Sequence, residues 1–229
     1  MYLFYQPYTD KTELDADESR HCAKVLRKNV GDEILVVDGQ GKHHRAVLTE
    51  VGKKCNYQVL ETKEFEQPTP IHIAIAPTKN LDRTEWFIEK ATEIGATHIS
   101  LLSTANSERT RLNPERLARK AVSAFKQSKG AYLPQINDVR PLKQFISEVE
   151  LGQKFIAYVD EAERKHLFNA VQANTPTLIL IGPEGDFSPQ EIKLAFEHNY
   201  TAVSLGTSRL RTETAGIVAT QIIKLKQEI

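Results

Sequence analysis

The chain has little cysteine. Its 229 residues include only Cys22 and Cys55, too few for a disulfide-held secreted scaffold and without the paired spacing of a zinc site. No apolar run approaches the roughly 20 residues needed to cross a bilayer, so no membrane partner is expected. The N-terminal stretch MYLFYQPYTDKTELDADESR has no basic start ahead of an apolar core, which argues against a signal peptide. Net charge is also missing, because 30 Lys+Arg face 30 Asp+Glu. The strongly basic total that marks many nucleic-acid binders is therefore absent. With 40% apolar and 26% charged residues, the composition excludes a disordered or fibrous chain. A soluble, cytoplasmic globular protein without metal is the expectation.

What is present is local charge. Between Arg109 and Lys129 lie Arg109, Arg111, Arg116, Arg119, Lys120, Lys126 and Lys129 against one acid, Glu115. Between Arg20 and Lys54 lie Arg20, Lys24, Arg27, Lys28, Lys42, Arg45, Lys53 and Lys54, with Asp32, Glu33, Asp38 and Glu50 among them. Acids from Asp10 to Glu18 and around Glu61 to Glu66 compensate. Two such islands would suit a face for an anionic polymer. A solvated helix face beside an ordinary barrel surface accounts for them equally well.

The pattern changes along the chain. Short apolar stretches, Glu33–Val37 and Ala46–Val51, alternate with turns at Gly31, Gly39, Gly41 and Gly52, which fits a small β-barrel. A helix is expected at Ser19–Arg27. The linker Glu66-Gln67-Pro68-Thr69-Pro70 then marks a domain boundary, giving domains 1–67 and 68–229. Beyond it, strands expected at Ile71–Ala76, Ile99–Ser103, Lys154–Val159, Thr177–Ile181 and Ala202–Leu205 alternate with helices. Those helices are Arg83–Ile94, Pro114–Gln127, Leu142–Val149, Pro189–His198 and Glu213–Lys226. Near-continuous apolar strands between helices imply an α/β domain with a parallel sheet covered on both faces. Ligands of such sheets bind at the carboxyl ends of strands.

Two strand-to-helix loops stand out. Gly182-Pro183-Glu184-Gly185-Asp186-Phe187-Ser188-Pro189-Gln190-Glu191 ends in a helix start: Ser188 as N-cap, Pro189 in the first turn, Glu191 closing a capping box. It lacks both the GxGxxG pattern and a P-loop lysine, and Glu184 and Asp186 would repel a polyphosphate. A neutral or cationic ligand suits it better, although a tight turn without ligand has the same composition. The second loop is Gly206-Thr207-Ser208-Arg209-Leu210-Arg211-Thr212-Glu213-Thr214-Ala215. Thr212 reads as N-cap of a helix carrying Ala215, Val218, Ile222 and Leu225 on one stripe. Arg209 and Arg211 sit just before that positive helix end, which calls for an anion or for pairing with Glu184 or Asp186.

Residues 181–191 (IGPEGDFSPQE) and 205–215 (LGTSRLRTETA) together resemble the paired signatures of the RsmE family. These are 16S ribosomal RNA uridine N3-methyltransferases of the SPOUT superfamily. His21-Cys22-Ala23-Lys24-Val25-Leu26-Arg27, the barrel turns Gly31-Asp32 and Asp38-Gly39, Lys79 to Gly95, Ser107-Glu108-Arg109 and Gln127-Ser128 extend the likeness over nearly the whole chain. Two positions depart. Asp186 stands where the family usually has glycine, and Gly130 stands where the segment Ala-Glu-Gln-Ser-x-Arg ends in arginine.

The resemblance implies a PUA-like, RNA-binding β-barrel over 1–67. It implies a SPOUT α/β domain over 68–229, with a C-terminal trefoil knot, donor binding and homodimerisation. The methyl donor would be S-adenosylmethionine, and the partner 16S ribosomal RNA or the small ribosomal subunit. Acidic Glu184 and Asp186 suit a sulfonium nearby. Gly182, Gly185, Leu205, Gly206 and Leu210 offer main chain and apolar walls, with Leu180 and Thr212 as further donor contacts. His21, Arg27, Arg109 and Lys129 are the candidate RNA contacts.

Uridine N3 carries a proton that must leave for methylation. Arg211 is assigned the stabilisation of the resulting negative charge. Glu213 or Glu184 is left as the carboxylate that takes the proton, although Glu213 also suits simple stabilisation of a first helical turn. The alternatives are a SPOUT methyltransferase acting on a ribose or another base, and a catalytically silent RNA-binding protein.

Overall fold

The computed structural model describes residues 1–8, 11–158 and 164–229. Asp10, first of the acidic stretch, and Val159, last of one expected strand, lie outside the described residues. The chain divides into two compact units: Met1–Gln67 with Phe125–Leu133, and Pro68–Ala124 with Pro134–Ile229.

In the first unit β1 (Leu3–Tyr5), β2 (Glu33–Val37), β3 (Lys42–Glu50) and β4 (Asn56–Glu64) form one sheet in the order β1-β2-β3-β4. β1 runs parallel to β2, and the other pairs are antiparallel. Register shifts between Arg45 and Ala46 and between Leu48 and Glu50 mark irregularities of the bulge kind, which bend a strand. The core beneath holds Phe4, Leu14, Cys22, Ile34, Val36, Leu48 and Cys55. The expected helix Ser19–Arg27 is instead α1 (Ala16–Arg20), capped by Asp15, running into a π-type turn at His21–Val25. Burial of Ser19 and Cys22, rather than an apolar stripe, holds it. Phe125–Leu133, assigned from sequence to the second domain, packs here: Leu133 N–H donates to Gly39 at 2.9 Å and Tyr132 Oη–H to the Phe65 carbonyl at 2.8 Å.

In the second unit β5 (Ile71–Ile75), β6 (His98–Ser103), β7 (Gln135–Pro141), β8 (Gln153–Ala157), β9 (Thr177–Ile181) and β10 (Thr201–Val203) form a sheet in the order β10-β8-β9-β5-β6-β7. Every pairing in it is parallel. One face packs on α4 (Leu142–Glu148) and α6 (Pro189–Glu197), where Phe145, Ile146 and Ala195 meet Ala74, Ile156, Leu178 and Leu180. α7 (Thr212–Glu228) lies against β5 and β9 and against α2 (Leu81–Ile94). Gly216 permits that approach, since a Cβ there would sit 2.6 Å from the Phe87 ring. α3 (Pro114–Ser128) and α5 (Leu167–Ala170) complete the helices among the described residues.

A buried histidine makes this sheet acid-sensitive. His72 on β5 is 7% exposed, bonds Ser100 Oγ at 2.8 Å and lies edge-on to Phe145. Burial, with the neighbouring His98, pulls its pKa from 6.5 down to about 4. As pH falls, the unfolded chain therefore takes up this proton first. The stabilisation is complete above about pH 6.5 and is lost by about pH 4, an effect of about 3 kcal/mol. Denaturation midpoints across that range should fall more steeply for the native chain than for His72→Gln; parallel profiles would contradict the assignment.

Candidate active site

The capping box forms as its sequence dictates. Ser188 Oγ accepts from Glu191 N–H, and Glu191 Oε2 accepts from Ser188 N–H at 2.8 Å. α6 is thereby anchored, and the preceding loop crosses the carboxyl end of β9. Within it Asp186 N–H donates to the Pro183 carbonyl at 3.0 Å, closing a tight turn. Gly182 suits that closure, because a Cβ there would press to 3.2 Å on the Phe187 ring.

The loop after β10 lies opposite. Together the two loops enclose a cavity of about 500 Å³, lined by Gly182, Pro183, Glu184 and Asp186 on one side and Ser204 to Leu210 on the other. Ile181, Tyr158 and Arg164 line it too, and Arg211, Thr212 and Ala215 supply the wall from α7. The volume is that of a small-molecule site, roughly 300–1,000 Å³. At Gly206, φ is +131° and nothing lies within 4 Å of a would-be Cβ, so the backbone there borders open space. Glu184 Oε1 accepts from Lys79 N–H at 3.1 Å. The Lys79 side chain pairs with Glu108 at 2.7 Å, and that carboxylate raises its pKa.

Several residues expected at the site lie elsewhere. Leu180 does not line the cavity. Strand residues alternate faces, and Leu180 shares the α4/α6 core with Leu178 while Ile181 reaches the cavity. Gly185 is absent from the lining as well, its Cβ position meeting Asn106 at 3.2 Å. Thr212 is the first helical residue rather than the cap; Arg211 is the N-cap and makes no side-chain capping bond. Glu213 is turned inward, 6% exposed, with Oε1 3.6 Å from Arg83 Nε. It faces α2 because the first turn of α7 packs there, whereas Glu184 lines the cavity. Among the described residues neither Arg209 nor Arg211 lies within ion-pair distance of a carboxylate, so pairing with Glu184 or Asp186 does not occupy them. Tyr158 and Arg164 join the expected lining. Arg164 donates to Tyr158 Oη at 2.9 Å, and no local pattern in the sequence signals that pair.

The basic islands carry less open charge than their composition suggests. Within the first unit Lys28 pairs with Asp32, Lys42 with Glu64, Arg45 with Glu33 and Glu61, Lys54 with Glu13, and Lys126 with Glu18. Arg27, at φ 50°, and Lys129, at φ 55°, are exposed. His21 is half-buried against Phe4. In the second unit Arg116 and Lys120 face Glu85. Arg109 spends two guanidinium N–H groups on the Lys79 carbonyl, at 3.1 and 2.9 Å. Gly130 has a packing reason: a Cβ would approach Phe125 to 2.9 Å, so arginine does not fit without moving that ring.

Residues 65–224 match the RNA methyltransferase domain family, and residues 14–54 match the RNA methyltransferase PUA domain. The chain belongs to the RNA methyltransferase family. The enzyme is 33% identical over 217 residues to ribosomal RNA small subunit methyltransferase E of Synechocystis sp., covering 90% of this chain and 70% of that one. Its fold superposes on a probable rRNA-methyltransferase from Porphyromonas gingivalis with a TM-score of 0.94 at 40% identity, over 100% of this chain and 99% of the other. A ribosomal RNA small subunit methyltransferase E from Neisseria gonorrhoeae, solved bound to S-adenosyl methionine, gives 0.87 at 25% identity over 99% and 98% of the two chains. Among the described residues no group of His, Cys, Asp and Glu could hold a metal, and no helix is long and apolar enough to cross a membrane.

Proposed function

We propose that the enzyme methylates N3 of a specific uridine in 16S ribosomal RNA, with S-adenosylmethionine as donor, in the cytoplasm. The observation that carries this is a cavity at the strand ends that combines Glu184 and Asp186 on one wall with Arg211, which among the described residues pairs with no carboxylate, on another. When bound, S-adenosylmethionine supplies an electrophilic methyl group on a positively charged sulfur. Glu184 and Asp186 suit that charge, Gly182 and Gly206 offer main chain, and Leu205 and Leu210 offer apolar contact.

Transfer to N3 needs the uracil to lose its N3 proton, which puts negative charge on its carbonyl oxygens. Arg211, exposed beside the amino end of α7, stabilises that charge. Of the two glutamates, Glu184 lines the cavity and takes the proton, in preference to buried Glu213. His21, Arg27, Arg109 and Lys129 contact RNA in this reading, Arg109 through charge left over from its bond to Lys79. The half-buried Ala215, Val218 and Ile222 with exposed Leu225 on α7 form a stripe that a second copy would cover, which supports a homodimer.

The test is methyl transfer by the purified enzyme to small-subunit RNA from cells lacking it, followed by nucleoside analysis. 3-Methyluridine is expected. A 2′-O-methyl nucleoside or another methylated base would favour a different SPOUT activity, and RNA binding without donor binding would mark a silent RNA-binding protein. The same preparation should sediment as a dimer at micromolar concentration; a fully active monomer would remove that part of the reading.

A further inference from the structure

Asp186 occupies an unusual place for its residue type. It lines the cavity and holds φ at 60°, a left-handed conformation that few non-glycine residues adopt. Its own Oδ1 accepts from Phe187 N–H at 2.8 Å, a local bond of the kind that lets aspartate tolerate this geometry. A second restraint comes from a different strand-to-helix loop. Asn106, between β6 and α3, directs Nδ2 at the Gly185 carbonyl and the Asp186 carbonyl, each at 3.0 Å. Both partners are acceptors, so the amino group and not the amide oxygen must face them. Gly185 leaves the room: any side chain there would begin 3.2 Å from the Asn106 Cβ. The neighbouring Ala105 N–H donates to Glu191 Oε1 at 2.8 Å, tying the base of the same clamp to the α6 capping box.

We propose that Asn106 is a positioning residue for the methyl-donor site, clamping the 183–186 turn so that Asp186 keeps its left-handed conformation on the cavity wall. Asn106 does not line the cavity; it acts through the backbone of Gly185 and Asp186. The inference rests on the reading that this cavity holds the donor. Without the two donated bonds, Asp186 relaxes towards the negative φ that its side chain prefers, and the turn no longer presents Glu184 and Asp186 in one arrangement. Glycine at 186 would remove the need for the clamp, because glycine adopts positive φ without steric cost.

A double-mutant cycle tests this, with donor affinity measured by calorimetry on the purified enzyme using S-adenosylmethionine itself. Asn106→Ala should weaken donor binding roughly fivefold to thirtyfold, the loss of two exposed hydrogen bonds. In an Asp186→Gly background the same substitution should cost less than about threefold. Asn106→Asp, which keeps the size but cannot donate, should match or exceed the alanine loss; because Asn106 is exposed, all these variants should melt cooperatively. An unchanged affinity for Asn106→Ala, or an equal loss in both backgrounds, would overturn the clamp. Gly206→Arg distinguishes the location of the donor site from the clamp. If that folded variant still binds donor, the location of the donor site is wrong; if it loses donor while Asn106→Ala binds normally, only the clamp is wrong.

Discussion

Arg211→Ala should slow methyl transfer roughly a hundredfold to a thousandfold, the usual cost of removing one group that stabilises a developing oxyanion, and should leave donor affinity nearly unchanged. The structure makes this substitution informative. Arg211 is the N-cap of α7 through its backbone alone, with no side-chain capping bond, so truncation removes no cap and α7 should remain intact. Its guanidinium is exposed and, among the described residues, lies within ion-pair distance of no carboxylate, so no buried partner is orphaned. Lysine should recover part of the rate through charge, without the planar fork of arginine. Raising the pH should partly rescue the alanine variant, because more uridine is then already deprotonated. Single-turnover rates read all of these, and an unaltered rate for Arg211→Ala would make the residue structural.

Gly206→Arg should abolish donor binding altogether. Two effects add. The φ of +131° at this position is one that side chains rarely adopt, and the added chain would extend into the open space bordering the cavity. Gly206→Ala separates them, since it carries the backbone strain with little of the volume, and a partial loss is expected for it. Gly185→Arg would act differently. Its side chain would begin against Asn106, so any loss of donor there reports displacement of the turn and not filling of the cavity. Calorimetry on folded Gly206→Arg should show no donor binding; retained affinity would move the site elsewhere.

The legible part of the chain was its local chemistry. Ser188, Pro189 and Glu191 specify their helix start without outside help, and the apolar runs of β5 and β9 mark strands buried on both faces. What escaped the sequence depends on tertiary partners. Which face of β9 meets the cavity is decided by α4 and α6, so Leu180 went to the core and Ile181 to the site. The fate of Glu213 is decided by the approach of α7 to α2, which Gly216 permits. β7, at the sheet edge beside β6, carries no strand signal because its QINDVRP sequence has no apolar run. Asn106 reaches carbonyls 79 and 80 residues away, a separation across which no periodicity carries information.

In the proposed reading, this cavity places a methyl group on N3 of one uridine in 16S ribosomal RNA. Mass-spectrometric mapping of that RNA from cells with and without the protein tests it most directly. One 3-methyluridine should vanish when the protein is lost, return with the native chain and stay absent with Gly206→Arg. An identical modification map in the presence and absence of the protein would rule out this activity.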